Sequence, residues 1–252
     1  MQPIYPPTPA LQPARVVNSA WLEHGPFAFW IVEALRPRLI VELGTHNGYS
    51  FGCFCEQMQR SNIPGRAIAV DTWRGDEHAG AYSETVYTKL AAYVAANYAS
   101  FAELKRMYFS EALASVADGT VDLLHVDGRH FYDDVVEDFT SWIPKLSDRA
   151  VVLFHDTQVR ERDFGVYRFW AELEAKYPTF EFHHGHGLGV LGYGSNIPAA
   201  VAQLLALPKN SDAAEATRRA FAEAGAAIAR NRKRPPLWER TKGKLQKLVG
   251  RV

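Results

Sequence analysis

The chain has 252 residues, with 28 basic and 28 acidic side chains, and 47% of its residues are apolar. This length suits one large domain with short appendages, and it suffices to bury a core without staples. The net charge of zero argues against a uniformly cationic nucleic-acid coat, and two cysteines exclude a disulfide framework, which favours a reducing cytoplasm. No apolar run approaches the roughly 20 residues that span a bilayer, and nothing before Arg15 has the form of a secretory signal.

Five prolines among the first 14 residues predict an extended lead-in over 1–16. Apolar residues at helical spacing predict a helix over 17–36 that ends at Pro37. The remaining helices are predicted over 48–60, 83–98, 131–145 and 164–176. Short apolar runs between these helices predict five strands, in RLIVELG, RAIAVDTW, MYFSEA, TVDLLHVDG and RAVVLFHDT, followed by two more in TFEFHHGHGLGVLGYG.

Strands that alternate with helices at this spacing indicate βαβ units. We therefore expect an α/β, Rossmann-like fold with a seven-stranded, mostly parallel sheet, an antiparallel last strand and helices on both faces. The main domain is predicted over 17–197, followed by an Ala-rich helical extension over 198–229 and a basic tail over 230–252.

The tail carries a net charge of +8, so the rest of the chain carries −8. Its leucines and Trp238 lie among lysines, and such a segment suits a basic amphipathic helix on an anionic membrane surface or in an assembly complex. A disordered solubilising tail and a contact with the acidic body remain alternatives. Nucleic acid is not expected as a partner, because no basic strand with interleaved aromatics accompanies the tail. The sequence leaves a homo-oligomer open.

A glycine-rich turn follows the first strand, with Glu42, Gly44 and Gly48 in an E-x-G-x-x-x-G pattern. Ligands of open α/β sheets bind at the carboxyl ends of the strands, where glycines let them approach the backbone. Asp71 ends the second strand at the same edge, where a carboxylate suits the ribose hydroxyls of an adenosine.

Two further strands end at this edge in Asp127 and in the pair His155–Asp156. Carboxylates that converge there favour a divalent cation, because without one the two charges would repel. His155 suits Mn, Fe, Ni or Zn better than Mg, so a different metal, an outer role for His155 and a metal-free site with a histidine base all remain open.

The glycine pattern resembles motif I of class I S-adenosylmethionine-dependent methyltransferases. This resemblance implies a set of cofactor-binding residues, namely Glu42, Gly44, Thr45, Asn47, Gly48, Ser50, Asp71, Thr72 and Trp73. Asp127 and His155–Asp156 resemble the metal ligands of catechol-type O-methyltransferases. The stretch from about residue 20 to 195 is similar to a bacterial methyltransferase family found with polysaccharide-assembly genes.

In the catechol-type family a lysine three residues after the first aspartate is the general base. Here that position is His130, and metal-dependent sugar O-methyltransferases of macrolide pathways have a histidine at the corresponding place. The resemblance therefore implies an enzyme that uses S-adenosylmethionine and a divalent metal, Mg or Mn. Its acceptor would be a hydroxyl of a sugar, glycan or glycosylated metabolite, and His130 would be the catalytic base.

Other residues have competing interpretations. His24 and His125 favour structural or core roles, whereas His46 suits either the cofactor or a solvated loop, and the loop over 71–80 suits a lid, a ligand source or plain surface. Three histidines of the late glycine-rich segment favour pocket lining or structure over a second metal, namely His183, His184 and His186. Cys53 and Cys55 are expected to be buried apolar groups.

Two rival functions remain for the chain. A cephalosporin-hydroxylase-like enzyme would share the fold and the metal arrangement, and methyl transfer from labelled cofactor would separate it from a methyltransferase. A non-catalytic subunit of a polysaccharide-assembly complex would need only the fold and the basic tail. The expected location is cytoplasmic, with the inner face of the membrane as an alternative for a tail-bound protein.

Overall fold

The computed structural model describes residues 1–7 and 12–232. The strands in this part of the chain are β1 (Leu39–Leu43), β2 (Arg66–Asp71), β3 (Gly75–Asp76), β4 (Gly80–Ala81), β5 (Ala102–Arg106), β6 (Val121–Val126), β7 (Leu146–His155), β8 (Thr179–Phe182) and β9 (Leu188–Gly192). The helices are α1 (Gly25–Leu35), α2 (Tyr49–Arg60), α3 (Glu84–Asn97), α4 (Phe109–Ala112), α5 (Tyr132–Trp142), α6 (Val166–Glu174), α7 (Ala199–Leu205) and α8 (Asp212–Arg232). A 3-10 helix over Ala20–His24 leads directly into α1.

Seven of the strands form one sheet in the order β5-β2-β1-β6-β7-β9-β8. The first five of these neighbours pair in parallel, and β9 runs antiparallel to both β7 and β8. The predicted seven-stranded, mostly parallel sheet with an antiparallel last strand is confirmed. Every residue of β6 is buried, as expected of a parallel strand that is covered on both faces.

Helices cover both faces of this sheet and bury two apolar clusters. One cluster joins α1, α2 and β9 through side chains such as Phe27 and Phe54. The other joins α5 and α6 to the sheet through Phe139 and Trp170. The strand order reverses between β1 and β6, so the carboxyl ends of these two strands leave the crevice where open α/β sheets bind ligands.

The prediction of a third strand in MYFSEA is wrong. The strand at this place is β5, which ends at Arg106, and residues 109–112 form α4 instead. β5 lies at the edge of the sheet and is only partly buried, so it has no apolar run in its sequence. A capping box opens α4, because the Glu111 carboxylate accepts the backbone N–H of Tyr108 at 2.8 Å.

The helical extension predicted over 198–229 contains α7 and α8, and both helices pack against the body of the protein. Gly225 of α8 lies directly on the backbone of Glu23, where any side chain would collide with the Glu23 carbonyl oxygen. The lead-in contributes too, since the N–H of Ile4 donates to Oγ1 of Thr217 at 2.9 Å. The division of the chain at residue 197 stays a prediction, and most of the basic tail lies outside the described residues. No helix within the described ranges combines the length and apolarity needed to cross a membrane.

Candidate functional site

A cavity of about 590 Å³ opens at the carboxyl ends of β1, β2, β6 and β7. Predicted cofactor residues form one wall, namely Gly44, Thr45, Ser50, Asp71 and Thr72. The predicted metal and base residues form a second wall, namely Asp127, His130, His155 and Asp156. The two groups that the sequence placed at the same sheet edge therefore share one cavity.

Backbone geometry shapes the first wall. Gly44 has φ +88°, and a side chain there would collide with the carbonyl oxygen of Asp127. The Asp71 carboxylate holds the turn: its Oδ2 accepts the N–H groups of Thr45 and His46, both at 2.9 Å, and its Oδ1 accepts that of Trp73 at 2.6 Å. Three backbone donors thus fix Asp71 at the end of β2 and leave it capacity for a further donor.

Four predicted cofactor residues support this wall from behind and do not line the cavity. Glu42 is fully buried, with its Oε2 2.9 Å from Nδ1 of His125, and burial raises the pKa of its carboxyl group. Trp73 is 1% exposed and donates its indole N–H to the carbonyl of His46. Gly48 (φ +71°) begins α2. The Asn47 side chain donates to the carbonyl of Asn18 at 3.0 Å.

The second wall is a cluster of two carboxylates and two imidazoles. Nε2 of His130 lies 2.9 Å from Oδ2 of Asp156 and 3.7 Å from Oδ1 of Asp127. Nδ1 of His155 lies 3.3 Å from each of the same two oxygens. One atom each of Asp127, His130 and Asp156 could serve as a metal ligand, and these atoms all lie within 4.8 Å of one another.

In this cluster, burial and the neighbouring charges shift the pKa values in opposite directions, and the charges have the larger effect. Burial alone would raise the pKa of Asp127 and Asp156, but the charge of His155 and hydrogen bonds from His130 and His155 lower both pKa values well below the ordinary range. Burial alone would lower the pKa of His130, but its bonds to the two carboxylates raise it to about 9. The pKa of His155 is raised well above its usual value, mainly by the two carboxylate charges acting against burial. The four side chains by themselves therefore form one network of four imidazole–carboxylate pairs.

Two loops meet over His130. Nε2 of His78 lies 2.8 Å from the carbonyl oxygen of Arg162, and the Arg162 guanidinium donates to the carbonyl of His78 at 2.7 Å. Phe164 stacks on the His130 ring at 4.5 Å between centroids, and His78 meets the same ring edge-on at 5.3 Å. The loop that contains His78 therefore packs against His130, and its role as a lid, a ligand source or plain surface stays a prediction.

The sequence reasoning missed the far end of the cavity. Phe109, Ser110, Asp138 and Ser141 line it. The capping box of Tyr108 and Glu111 was the available signal, because it places a helix start at the carboxyl end of β5. Burial, together with the charges of Asp134 and Glu137, raises the pKa of Asp138 to about 7.

The remaining histidines take different places. His24 and His125 are fully buried, as their structural interpretation requires. His46 lines the cavity and stacks on Tyr82 with ring centroids 4.4 Å apart. Among the late histidines, only His186 lines the cavity, and none of the three belongs to the possible metal-ligand group of the described residues. Both cysteines are buried and unpaired.

The comparisons with known proteins agree with this geometry. Residues 41–157 match the family model described as a methyltransferase domain. The uncharacterized protein y4gI of Sinorhizobium fredii is 55% identical over 187 residues, which cover 74% of this chain; the chain spans only 20% of that relative's length.

Among solved structures, the proposed caffeoyl-CoA O-methyltransferase of Staphylococcus aureus aligns with a TM-score of 0.53 at 16% identity, covering 71% of this chain and 86% of that one. The SAH-bound methyltransferase PaMTH1 of Podospora anserina aligns with a TM-score of 0.53 at 13% identity, covering 68% and 77%. At these identities the likeness establishes the fold.

Proposed function

We propose that this chain transfers the methyl group of S-adenosylmethionine to a hydroxyl oxygen, because residues 41–157 match the family model of a methyltransferase domain and belong to a Rossmann-like sheet. The observation that carries the proposal is the shared cavity, which both the Asp127–Asp156 cluster and the glycine turn after β1 line. In such a reaction the acceptor oxygen attacks the methyl carbon, the carbon–sulfur bond breaks with its electron pair going to sulfur, and the hydroxyl proton must go to a base. The protein must mainly align the two reactants and take that proton.

The cofactor is proposed to lie along the first wall, against Gly44, Thr45, Ser50 and Thr72. Asp71 would accept a ribose hydroxyl with the capacity that its three backbone donors leave free. Glu42, Asn47, Gly48 and Trp73 would act from behind, by holding the turn in shape. The binding of SAH by a methyltransferase of the same fold supports this choice of cofactor.

The donor set of the second wall fits a divalent metal. Asp127 and Asp156 offer carboxylate oxygens, while His130 and His155 turn ring nitrogens toward the same two oxygens. This mixture of oxygen and imidazole ligands suits Mn or Fe better than Mg, and the imidazoles would have to give up protons on binding. We propose Asp127, Asp156 and His155 as the ligands. A divalent cation there would supply positive charge that offsets the carboxylates and acidifies a coordinated hydroxyl.

His130 is the proposed base. Its pKa of about 9 keeps it protonated while Asp127 and Asp156 carry uncompensated charge, so the free carboxylates work against this role. Once the carboxylates are engaged elsewhere, the ring loses the interactions that hold its proton. Phe164 and His78 meanwhile fix the ring, so that Nε2 stays directed toward the cluster and the acceptor.

A sugar or glycan hydroxyl suits the walls better than an anionic acceptor. Acidic side chains line the cavity at Asp76, Asp134, Glu137 and Glu161 in addition to the cluster, and they outnumber the two arginines in the lining, Arg129 and Arg162. Such carboxylates accept hydrogen bonds from polyols and repel phosphates or carboxylates. The proposal that the basic tail binds an anionic membrane surface or an assembly complex rests on sequence alone, because residues 233–252 lie outside the described residues.

Calorimetry with SAH and Mn²⁺, followed by transfer of a labelled methyl group to a panel of methyl glycosides, tests the proposal. We expect SAH binding, and turnover that a chelator abolishes and Mn²⁺ restores. His130→Ala should lower turnover by about 10²–10⁴-fold and leave SAH binding unchanged. Absence of SAH binding would exclude the methyltransferase function, whereas chelator-resistant turnover would exclude only the metal.

A further inference from the structure

The glycine-rich segment His183–Gly187, here termed the histidine loop, turns its backbone toward the cluster. Gly185, His186 and Gly187 all have positive φ values, of +56°, +71° and +92°. The carbonyl of Gly187 accepts the N–H of Asp156 at 3.1 Å, and that of His186 accepts the N–H of Gln158 at 2.9 Å. The loop therefore holds the backbone at the end of β7 by its own carbonyl groups.

The carbonyl oxygen of Gly185 has two imidazole neighbours. Nε2 of His24 lies at 3.0 Å and Nε2 of His155 at 3.1 Å. A carbonyl only accepts hydrogen bonds and has two lone pairs, so both Nε2 atoms must carry protons to make these bonds. With Nε2 committed to Gly185, the His155 ring turns Nδ1 toward Asp127 and Asp156, at 3.3 Å from each.

His24 comes from the other end of the chain and is completely buried. It ends the 3-10 helix Ala20–His24, which α8 covers at the Gly225–Glu23 contact. The His24 ring packs 4.7 Å from that of His184 and 5.6 Å from that of His155, between ring centroids. The N-terminal segment and the histidine loop thus meet at the Gly185 carbonyl, and α8 packs on the neighbouring residue of the N-terminal segment, Glu23.

We propose that His24 is a positioning residue for the candidate catalytic cluster. Through the shared Gly185 carbonyl it holds the histidine loop in place and so fixes the orientation of His155 toward Asp127 and Asp156. His24 touches neither carboxylate and does not line the cavity. The effect of His24 on methyl transfer rests on the proposed function, but its effect on the His155 ring does not.

Two substitutions separate hydrogen bonding from packing. His24→Leu keeps a buried apolar body and removes the donor to Gly185. His24→Gln places an amide nitrogen near the position of Nε2 and so keeps a donor. If His24 mattered only through its ring contacts, the two variants would behave alike; the hydrogen bond predicts that only Gln preserves the orientation of His155.

Ring-nitrogen NMR of the histidine-labelled protein, without cofactor or metal, tests the orientation. In the wild type we expect a proton on Nε2 of His155 that exchanges slowly with water. His24→Leu should speed this exchange by about 10-fold or more, since the loop then loses a buried hydrogen bond, and His24→Gln should keep it slow. An unprotonated Nε2 in the wild type, or equal exchange in both variants, would overturn the proposal. If His24→Leu does not fold, the proposal is tested by the protonation of Nε2 of His155 in the wild type and by its exchange rate in His24→Gln.

Kinetics give a second readout. His24→Leu should lower kcat by roughly 10-fold, in the range seen for residues that orient metal ligands, with an unchanged KM for S-adenosylmethionine. His24→Gln should restore kcat to within about 3-fold of the wild type. His183→Ala is the matched control, because this histidine of the same loop is half-exposed and its Nε2 lies 3.7 Å from Oε2 of Glu181. If the wild type does not bind SAH, only the proposed function is refuted. If kcat of His24→Leu equals that of the wild type, only the positioning role is refuted.

Discussion

The two walls of the cavity are built by different means. Backbone groups shape the cofactor wall: two glycines with positive φ, and three N–H groups that converge on Asp71, all within about 30 residues of chain. Side chains shape the second wall, and outside the cavity lining Nε2 of His24 contacts the carbonyl oxygen of Gly185, which supports this wall although 161 residues separate the two. The cofactor wall depends on local backbone geometry, so a sequence motif can predict it. The second wall depends on side chains that are distant in the chain, so it forms only when the chain folds.

Gly44 is the point where the two walls touch, so its substitution should have the largest effect. In Gly44→Val the new side chain meets both the unfavourable φ of +88° and the carbonyl oxygen of Asp127. We expect a loss of about 3 kcal/mol in unfolding free energy and at least about 10-fold weaker SAH binding, measured by urea unfolding and calorimetry.

Gly119→Val is the control for this substitution. Gly119 also has a positive φ, of +68°, but a Cβ there would have open space around it. Its replacement should cost only the backbone strain, about 1 kcal/mol, and should leave SAH binding intact. Equal effects of the two variants would mean that the contact between the walls is unimportant.

Asp127→Asn and Asp156→Asn should affect the second wall alone. Each removes a charge from the cluster, so turnover should fall by roughly 10²-fold while SAH affinity changes by less than about 3-fold. Asp163→Asn, in the exposed loop that follows β7, controls for the loss of one nearby negative charge. A parallel loss of SAH binding would show that the two walls do not act separately.

Substitution of Asp138 should have the smallest effect, and this effect on the free energy of unfolding should depend on pH. Its pKa in the folded protein is about 7 and its ordinary value is 3.8, so the folded state holds a proton that the unfolded state has released between these values. Stability therefore falls as the pH rises from about 4 to 7, and the full cost is present above 7. Asp138→Asn should be more stable than the wild type at pH 8 by roughly 1–2 kcal/mol and nearly equal to it at pH 4.

Urea unfolding without cofactor at the two pH values measures this difference. Asp133→Asn removes a carboxylate from the exposed side of the same helix and is the control for net charge. A pH-independent gain in Asp138→Asn would show that helix propensity, and not the buried carboxyl group, is responsible.

The sequence by itself determined the sheet, the glycine turn and the sheet edge at which Asp71, Asp127 and Asp156 meet. Buried parallel strands are continuous apolar runs, and the ends of such strands share one edge of the sheet, so local pattern was sufficient there. It was not sufficient for β5, whose exposed edge position leaves charged residues in the strand. Nor could it separate Gly44, which lines the cavity, from Glu42, which contacts His125 in the core, because the motif does not show that β1 ends at Leu43, between the two residues.

Only the tertiary structure decided which histidines belong together. His130 stands three residues after Asp127, and its place in the cluster follows from local spacing. Packing of the core brings His24 and the histidine loop to His155, and nothing in the spacing of these segments indicates that two imidazoles share the carbonyl of Gly185. A hydrogen bond between residues far apart in the chain depends on the packing of every element between them, and that packing is a property of the whole fold.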